Sequence, residues 1–217
     1  MSIEKDIGHL RKSYEKGALD DALKSVSPIT LFEQWFAEAE AHPAIEEANA
    51  MSLVTLGEDH FPKARVVLLK QFSAEGFVLY TNYESEKGKA ILTHPQVGIS
   101  FFWPALEQQI IIKGKAEKQA ENLSDDYFTS RPDGSKLGAW ASNQSSVINS
   151  REELDKQLRN YQQEFKSKEI ERPPHWGGFL VKPVSIEFWQ GRPNRMHDRI
   201  LYTLLEDFSW KTERLEP

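Results

Sequence analysis

A chain of 217 residues with 39% hydrophobic, 11% aromatic and 28% charged residues can bury a sizeable core and reads as globular. Its formal net charge of -6 excludes the broad basic face of a general nucleic-acid or anionic-membrane binder, so any anion site must be a local pocket. The absence of cysteine removes disulfides, thiol catalysis and cysteine-ligated metals, and fits the cytosol.

The opening "MSIEKDIGHLRKSYEKG" has no apolar stretch of the secretory kind. No run approaches the roughly 20 apolar residues of a membrane helix, so a soluble, cytoplasmic protein is expected. Residues 1–16 read as a polar helix or arm with Ile3, Ile7 and Leu10 at helical spacing. Thr30 and Glu33 have capping-box spacing and open a helix with Leu31, Trp35 and Ala39 on one stripe. It should stop near His42 and Pro43.

The period then changes. "MSLVTLGEDH", "KARVVLLKQF", "EGFVLYTN", "QVGISFFW" and "EQQIIIKGKAE" predict five strands between about residues 51 and 117. These form a mostly antiparallel meander, sandwich or barrel, interrupted by one helix at "SEKGKAILTH". A short helix at "LSDDYFTS" and a loop, "RPDGSKLGAWASNQSS", follow. Ser150 and Glu153 form a second capping box, ahead of an amphipathic helix carrying Leu154, Leu158, Tyr161 and Phe165. Strands return in "WGGFLVKPVSIEFWQG", "DRILYTLLE" and "FSWKTERLE". With no repeat and no linker, the reading is one α+β domain around an antiparallel barrel or sandwich.

The chain lacks a dinucleotide fingerprint, a P-loop and a nucleophile elbow, and its six histidines show no zinc spacing, so no metal is expected. An enzyme built on it would borrow its chemistry from an organic cofactor. Cations placed to hold phosphate recur: Arg65 and Lys70 bracket "RVVLLK", Lys87 and Lys89 lie near a helix start, and Arg131 and Ser135 flank a Pro-Asp-Gly turn. Arg65 and Lys70 are five apart, so a straight strand puts them on opposite faces and implies two separate anionic groups. In "GRPNRMHDRI", an extended Arg195–Arg199 would put Arg195, His197 and Arg199 on one face. Two readings stand for it: a pocket for an anionic or electron-rich ligand, or a solvated hairpin edge. Arg192 of the same stretch reads as solvated.

Taken together, "HLRKSYEKG", "RVVLLK", "LYTN", "SEKGKA", "LEQQIIIKGKAEK", "YFTSRPDGSKLGAWASNQSS", "WGGF", "IEFWQG" and "NRMHDR" resemble the pyridoxamine/pyridoxine 5'-phosphate oxidase family. They stand in family order over nearly the whole chain. The resemblance implies an FMN-binding split β-barrel with peripheral helices, a single domain with residues 1–20 as a mobile arm, and a homodimer with sites at the subunit interface. It implies oxidation of pyridoxamine or pyridoxine 5'-phosphate to pyridoxal 5'-phosphate, with O2 as acceptor and H2O2 as product. It assigns Arg65, Val66, Val67, Leu68, Leu69, Lys70, Tyr80, Thr81, Lys87, Gln109, Gln144, Ser145, Trp189 and Arg199 to FMN. Lys70, Tyr127, Arg131 and Ser135 go to the substrate phosphate, and Arg195 and His197 to the reacting ring. Arg11 and Tyr14 are to close over the substrate. One position departs from the family: Glu86 stands where a second basic residue is usual, so either it turns to solvent or pairs with a lysine, or FMN binding is weaker.

Overall fold

A computed structural model describes residues 5–217, so the predicted stripe residue Ile3 lies outside the described residues. From Lys5 to Asp20 the chain forms no helix or strand, and Ile7 and Leu10 are 59% and 68% exposed. With two apolar residues in solvent a helix would have no face to bury. This segment is an arm.

Five α-helices and nine strands follow: α1 (Pro28–Ala41), β1 (Ala50–Leu56), β2 (Pro62–Leu68), β3 (Gln71–Ser73), β4 (Gly76–Asn82), α2 (Glu86–Thr93), β5 (Gln96–Trp103), β6 (Gln108–Lys118), α3 (Glu121–Thr129), α4 (Asp133–Ala141), α5 (Arg151–Glu164), β7 (Trp176–Gln190), β8 (Asp198–Leu204) and β9 (Trp210–Leu215). The strands join in the order β2-β1-β5-β6-β7-β4-β3, with β8 on β7 and β9 on β8. The pairings of β1 with β2 and β5, of β4 with β3 and β7, and of β8 with β7 and β9 are antiparallel. The predicted strand "KARVVLLKQF" is two strands, broken after Leu68.

The contacts group the chain into two compact units. One comprises the residues up to Ala48 with Phe101–Ile111 and Ser185–Pro217, the other Asn49–Ser100 with Ile112–Val184. In the first unit, α1 buries Leu31, Phe32, Trp35 and Ala39. Trp35 meets Phe188 edge-on at 5.2 Å, and Phe188 meets Tyr202 at 5.7 Å. These edge-to-face contacts suit the aromatic quadrupole. Helix α1 begins a turn earlier than its predicted capping box. Ser27 is the N-cap and accepts the Thr30 N–H, with Pro28 filling the first turn, where a missing N–H costs nothing.

In the second unit, β1 alternates strictly and buries Met51, Leu53 and Thr55. Phe77, Leu79, Phe179 and Val181 fill the core on the paired strands β4 and β7. The predicted loop after Arg131 contains α4. Pro132 occupies its N-cap and Asp133 its first turn. Its glycines, Gly134 and Gly138, suggested a turn. They are tolerated because Trp140 packs against Tyr161 and Phe165 of the following segment at 5.8 and 5.4 Å. Helix α5 is capped by Ser150 as expected, but its stripe is only half-buried in the chain.

Candidate functional site

The second unit carries a cavity of about 300 Å³ lined by side chains from β2, β4, α2, α3 and the residues around them. The fold brings Val66, Val67, Leu68, Lys70, Tyr80, Thr81, Lys87, Tyr127, Arg131 and Gln144 of the expected set to this one space. Asn82 and Trp176 join them, and sequence reading did not single them out. Leu69 points into the core, at 4% exposure. Ser145, in the left-handed region at φ 75, and the exposed Ser135 lie outside its lining.

Helix α2 starts here because Ser85 is a buried N-cap. Its hydroxyl accepts the Gly88 N–H at 3.2 Å and donates to the Asn82 carbonyl at 2.6 Å. That cap sets Lys87 in the first helical turn, where its ammonium donates to Thr81 Oγ1 at 3.2 Å. Burial, reinforced by the nearby Arg65 guanidinium, holds the Lys87 ammonium below the ordinary lysine range. Arg65 donates to Thr55 Oγ1 at 2.7 Å and to the Leu53 carbonyl at 3.2 Å. Neither Arg65 nor Lys87 forms an ion pair among the described residues. Glu86 instead pairs with the exposed Lys63, Nζ to Oε2 being 2.6 Å, which is the lysine pairing among its expected outcomes.

The expectation that Arg65 and Lys70 oppose each other across one straight strand is corrected. Strand β2 ends at Leu68, and the Lys70 N–H already bonds the Val78 carbonyl of β4. The parity argument therefore does not reach Lys70, which lines the same cavity as Lys87.

The same cavity is lined by an aromatic stack. Tyr80 lies on Tyr127 at 3.9 Å between centroids and on Trp176 at 5.5 Å. The Arg131 guanidinium sits over the Trp176 ring at 4.5 Å, yet its Nη1 is buried with no partner. A buried donor left unpaired is costly, and an anionic oxygen from a ligand would satisfy it.

The first unit holds a second cavity, of about 620 Å³, between the arm and the loop after β7. Arg11 and Tyr14 line one side, Arg195 and His197 the other, with Lys12, Ser13, Arg192 and Asn194 beside them. The loop is not the extended strand of the parity reading. Pro193–Arg195 is a 3-10 turn with Asn194 and Arg195 at φ 57 and 63, and β8 begins only at Asp198. Proline at the turn start and asparagine in the left-handed region are the local causes.

The three basic residues therefore do not share a strand face. Arg199 donates to Glu187 Oε1 at 2.8 Å and to the Glu216 carbonyl at 2.9 Å. Arg192 is not merely solvated, since it donates to the Gly17 carbonyl at 2.8 Å and lies 3.5 Å from Asp198. Arg195 forms no ion pair among the described residues. Trp189 of the expected cofactor set packs on His197 at 4.6 Å, and Tyr14 meets both rings edge-on at 5.7 and 5.8 Å. Gln109 belongs to this unit, on β6.

His197 has a defined tautomer. Its Nδ1 accepts the Arg192 backbone N–H at 3.1 Å, so the proton of the neutral ring is on Nε2. Burial first, and the Arg195 charge second, hold the imidazole below its ordinary value of 6.5. Protonation would force a second donor against the Arg192 N–H. Folded-state stability is therefore expected to fall as the pH drops through the ordinary histidine range, down to the lower folded value. Nitrogen-resolved NMR of the folded protein should show His197 titrating below 6.5, and a higher value would contradict this arrangement.

Among proteins of known structure, PhzG from Burkholderia lata 383, solved with tetrahydrophenazine-1-carboxylic acid, shares this architecture. It matches 95% of this chain and all of its own at a TM-score of 0.85 and 26% identity. A pyridoxamine 5'-phosphate oxidase-related, FMN binding protein from Nostoc punctiforme PCC 73102 shares the fold at a TM-score of 0.70 and 17% identity. The chain is an antiparallel split barrel with peripheral helices.

Residues 37–165 match the family model described as pyridoxamine 5'-phosphate oxidase. Residues 176–217 match the pyridoxine 5'-phosphate oxidase C-terminal dimerisation region. A pyridoxine/pyridoxamine 5'-phosphate oxidase of Flavobacterium psychrophilum is 59% identical over 98% of this chain and the whole of that one, and its counterpart in Christiangramia forsetii 54% over 99% and 100%. The chain belongs to the pyridoxamine 5'-phosphate oxidase family, and is an oxidoreductase. Among the described residues no helix is long and apolar enough to cross a membrane.

Proposed function

We propose that the protein oxidises pyridoxamine or pyridoxine 5'-phosphate to pyridoxal 5'-phosphate with FMN as cofactor, as a homodimer. The amine, O2 and water give the aldehyde, ammonia and H2O2; the alcohol and O2 give the aldehyde and H2O2. The observation that carries this reading is the unpaired cations around the cavity of the second unit, above all the orphaned Nη1 of Arg131. They suit a phosphorylated ring compound, and the family membership supports a B6 vitamer phosphate.

FMN, when bound, would supply the redox chemistry, an acceptor for a hydride from C4' of the substrate and a route for the electrons to O2. Arg65 and Lys87 would hold its phosphate, with Thr81 orienting the Lys87 ammonium. Lys70 and Arg131 would hold the substrate phosphate, with Tyr127 beside them, supplying positioning energy away from the reacting carbon. With the sites at the subunit interface of the proposed homodimer, Arg195 would fix the substrate ring. His197 offers an Nε2–H donor to its polar substituents, and its occupied Nδ1 leaves it poorly suited to accept a proton. Arg11 and Tyr14 would exclude water from the arm side.

The reaction itself tests the reading. The purified protein should be yellow and should form pyridoxal 5'-phosphate and peroxide from pyridoxamine 5'-phosphate in air. Bound flavin without product would reject it.

A further inference from the structure

Glu107 is a carboxylate that the proposed chemistry does not use. It sits in the turn between β5 and β6, in the left-handed region at φ 58, and is 2% exposed. A buried carboxylate is costly unless its oxygens are paired, and these are. Oε2 accepts the backbone N–H groups of Glu15 at 2.6 Å and Lys16 at 3.0 Å. Oε1 lies 3.2 Å from the Lys12 ammonium. Burial pushes the Glu107 carboxyl up, but these donors outweigh it and hold the group below the usual carboxylate range, so it stays charged.

The backbone of the same residue holds the opposite wall of the cavity. The Glu107 carbonyl accepts the Gly191 N–H at 2.8 Å and the Gln190 Nε2 donor at 3.2 Å. Gly191 opens the loop that carries Arg195 and His197. Its α-carbon faces Tyr14 so closely that an added Cβ would lie 2.7 Å from Tyr14 Cγ. One buried residue thus grips the arm through its side chain and the loop through its main chain.

We infer that Glu107 is a positioning residue that clamps the N-terminal arm, and with it Arg11 and Tyr14, against the loop bearing Arg195 and His197. The role rests on the substrate reading of this cavity, because it assigns a consequence to the clamp. With the clamp released, the arm contacts must be bought from substrate binding energy, so the loss falls on KM.

The test uses the full-length holoenzyme. Glu107→Ala is expected to raise KM for pyridoxamine 5'-phosphate by roughly tenfold, with a smaller change in kcat. FMN content should be retained, and tryptic cleavage at Arg11, Lys12 and Lys16 should accelerate. Glu107→Gln keeps an acceptor for the Glu15 and Lys16 N–H groups but loses the charge facing Lys12, so both readouts should lie between wild type and the alanine variant. If the alanine variant does not fold, the glutamine variant alone decides: a wild-type KM and a wild-type cleavage rate overturn the clamp. Faster cleavage with an unchanged KM also overturns it, since the arm would then be held to no purpose in binding. Failure of the substrate reading shows separately, as a wild-type protein that gives no pyridoxal 5'-phosphate while the cleavage difference persists.

Discussion

Arg195→Ala is expected to lower turnover by roughly a hundredfold, the size of effect that misplacing a reacting group produces, while the FMN content of the purified enzyme stays near that of wild type. Arg195 has no carboxylate partner among the described residues, and it sits at φ 63 on the cavity wall that holds His197. A left-handed arginine beside a left-handed Asn194 costs of order 1–3 kcal/mol each. The Met196 N–H on the Pro193 carbonyl and the Arg192 N–H on His197 keep the turn closed regardless. Alanine can keep the same backbone and removes the side chain beyond Cβ, guanidinium included, so the variant isolates the side chain. Arg195→Lys should recover part of the rate, because an ammonium restores charge but not the planar fork. Turnover and FMN content falling in parallel would show that Arg195 holds the cofactor instead.

Lys87→Ala should weaken FMN binding by roughly thirty- to a hundredfold, corresponding to about 2–3 kcal/mol for lost charge-assisted hydrogen bonds. The same substitution should leave the melting temperature of the FMN-free protein unchanged or raise it. Without a ligand, Lys87 is a desolvated cation repelled by Arg65 and bonded only to hydroxyls, Thr81 Oγ1 at 3.2 Å and Ser85 Oγ at 3.4 Å. A binding residue held at a cost to the empty fold shows these opposite signs. Arg65→Ala should differ, because it also breaks the bonds to Thr55 and Leu53 and so loosens β1 from β2. Titration of FMN into the stripped protein, with thermal melts of the same samples, separates the two. A parallel loss of affinity and FMN-free stability in Lys87→Ala would make Lys87 a structural residue.

The strands were legible because β-branched and aromatic runs separated by turn residues admit little else, and the β1 alternation appears in the burial pattern. Helix α4 was not, since Pro132, Gly134 and Gly138 signal a turn to any local reading and its support comes from Trp140 packing on Tyr161. The α1 cap was misplaced by one turn because Ser27 and Thr30 both look like caps, and only the Pro28 between them tells which comes first. Within the site, the cations were legible as residue types but not as a constellation. The break after Leu68 moved Lys70 to the Lys87 cavity, and the turn at Pro193 undid the shared face of Arg195, His197 and Arg199. Glu107 was invisible, because its donors Glu15 and Lys16 lie 92 and 91 residues away along the chain.

For heredity, Gly191 is a position with no mild change. Every alternative amino acid carries a Cβ, and that atom would meet Tyr14 at 2.7 Å and the Glu107 Cβ at 3.2 Å. A conservative missense mutation here therefore acts like a drastic one, forcing the arm and the loop apart before any difference in polarity or size is felt. Lineages that keep the clamp should keep this glycine even where the ligand-facing residues around it drift.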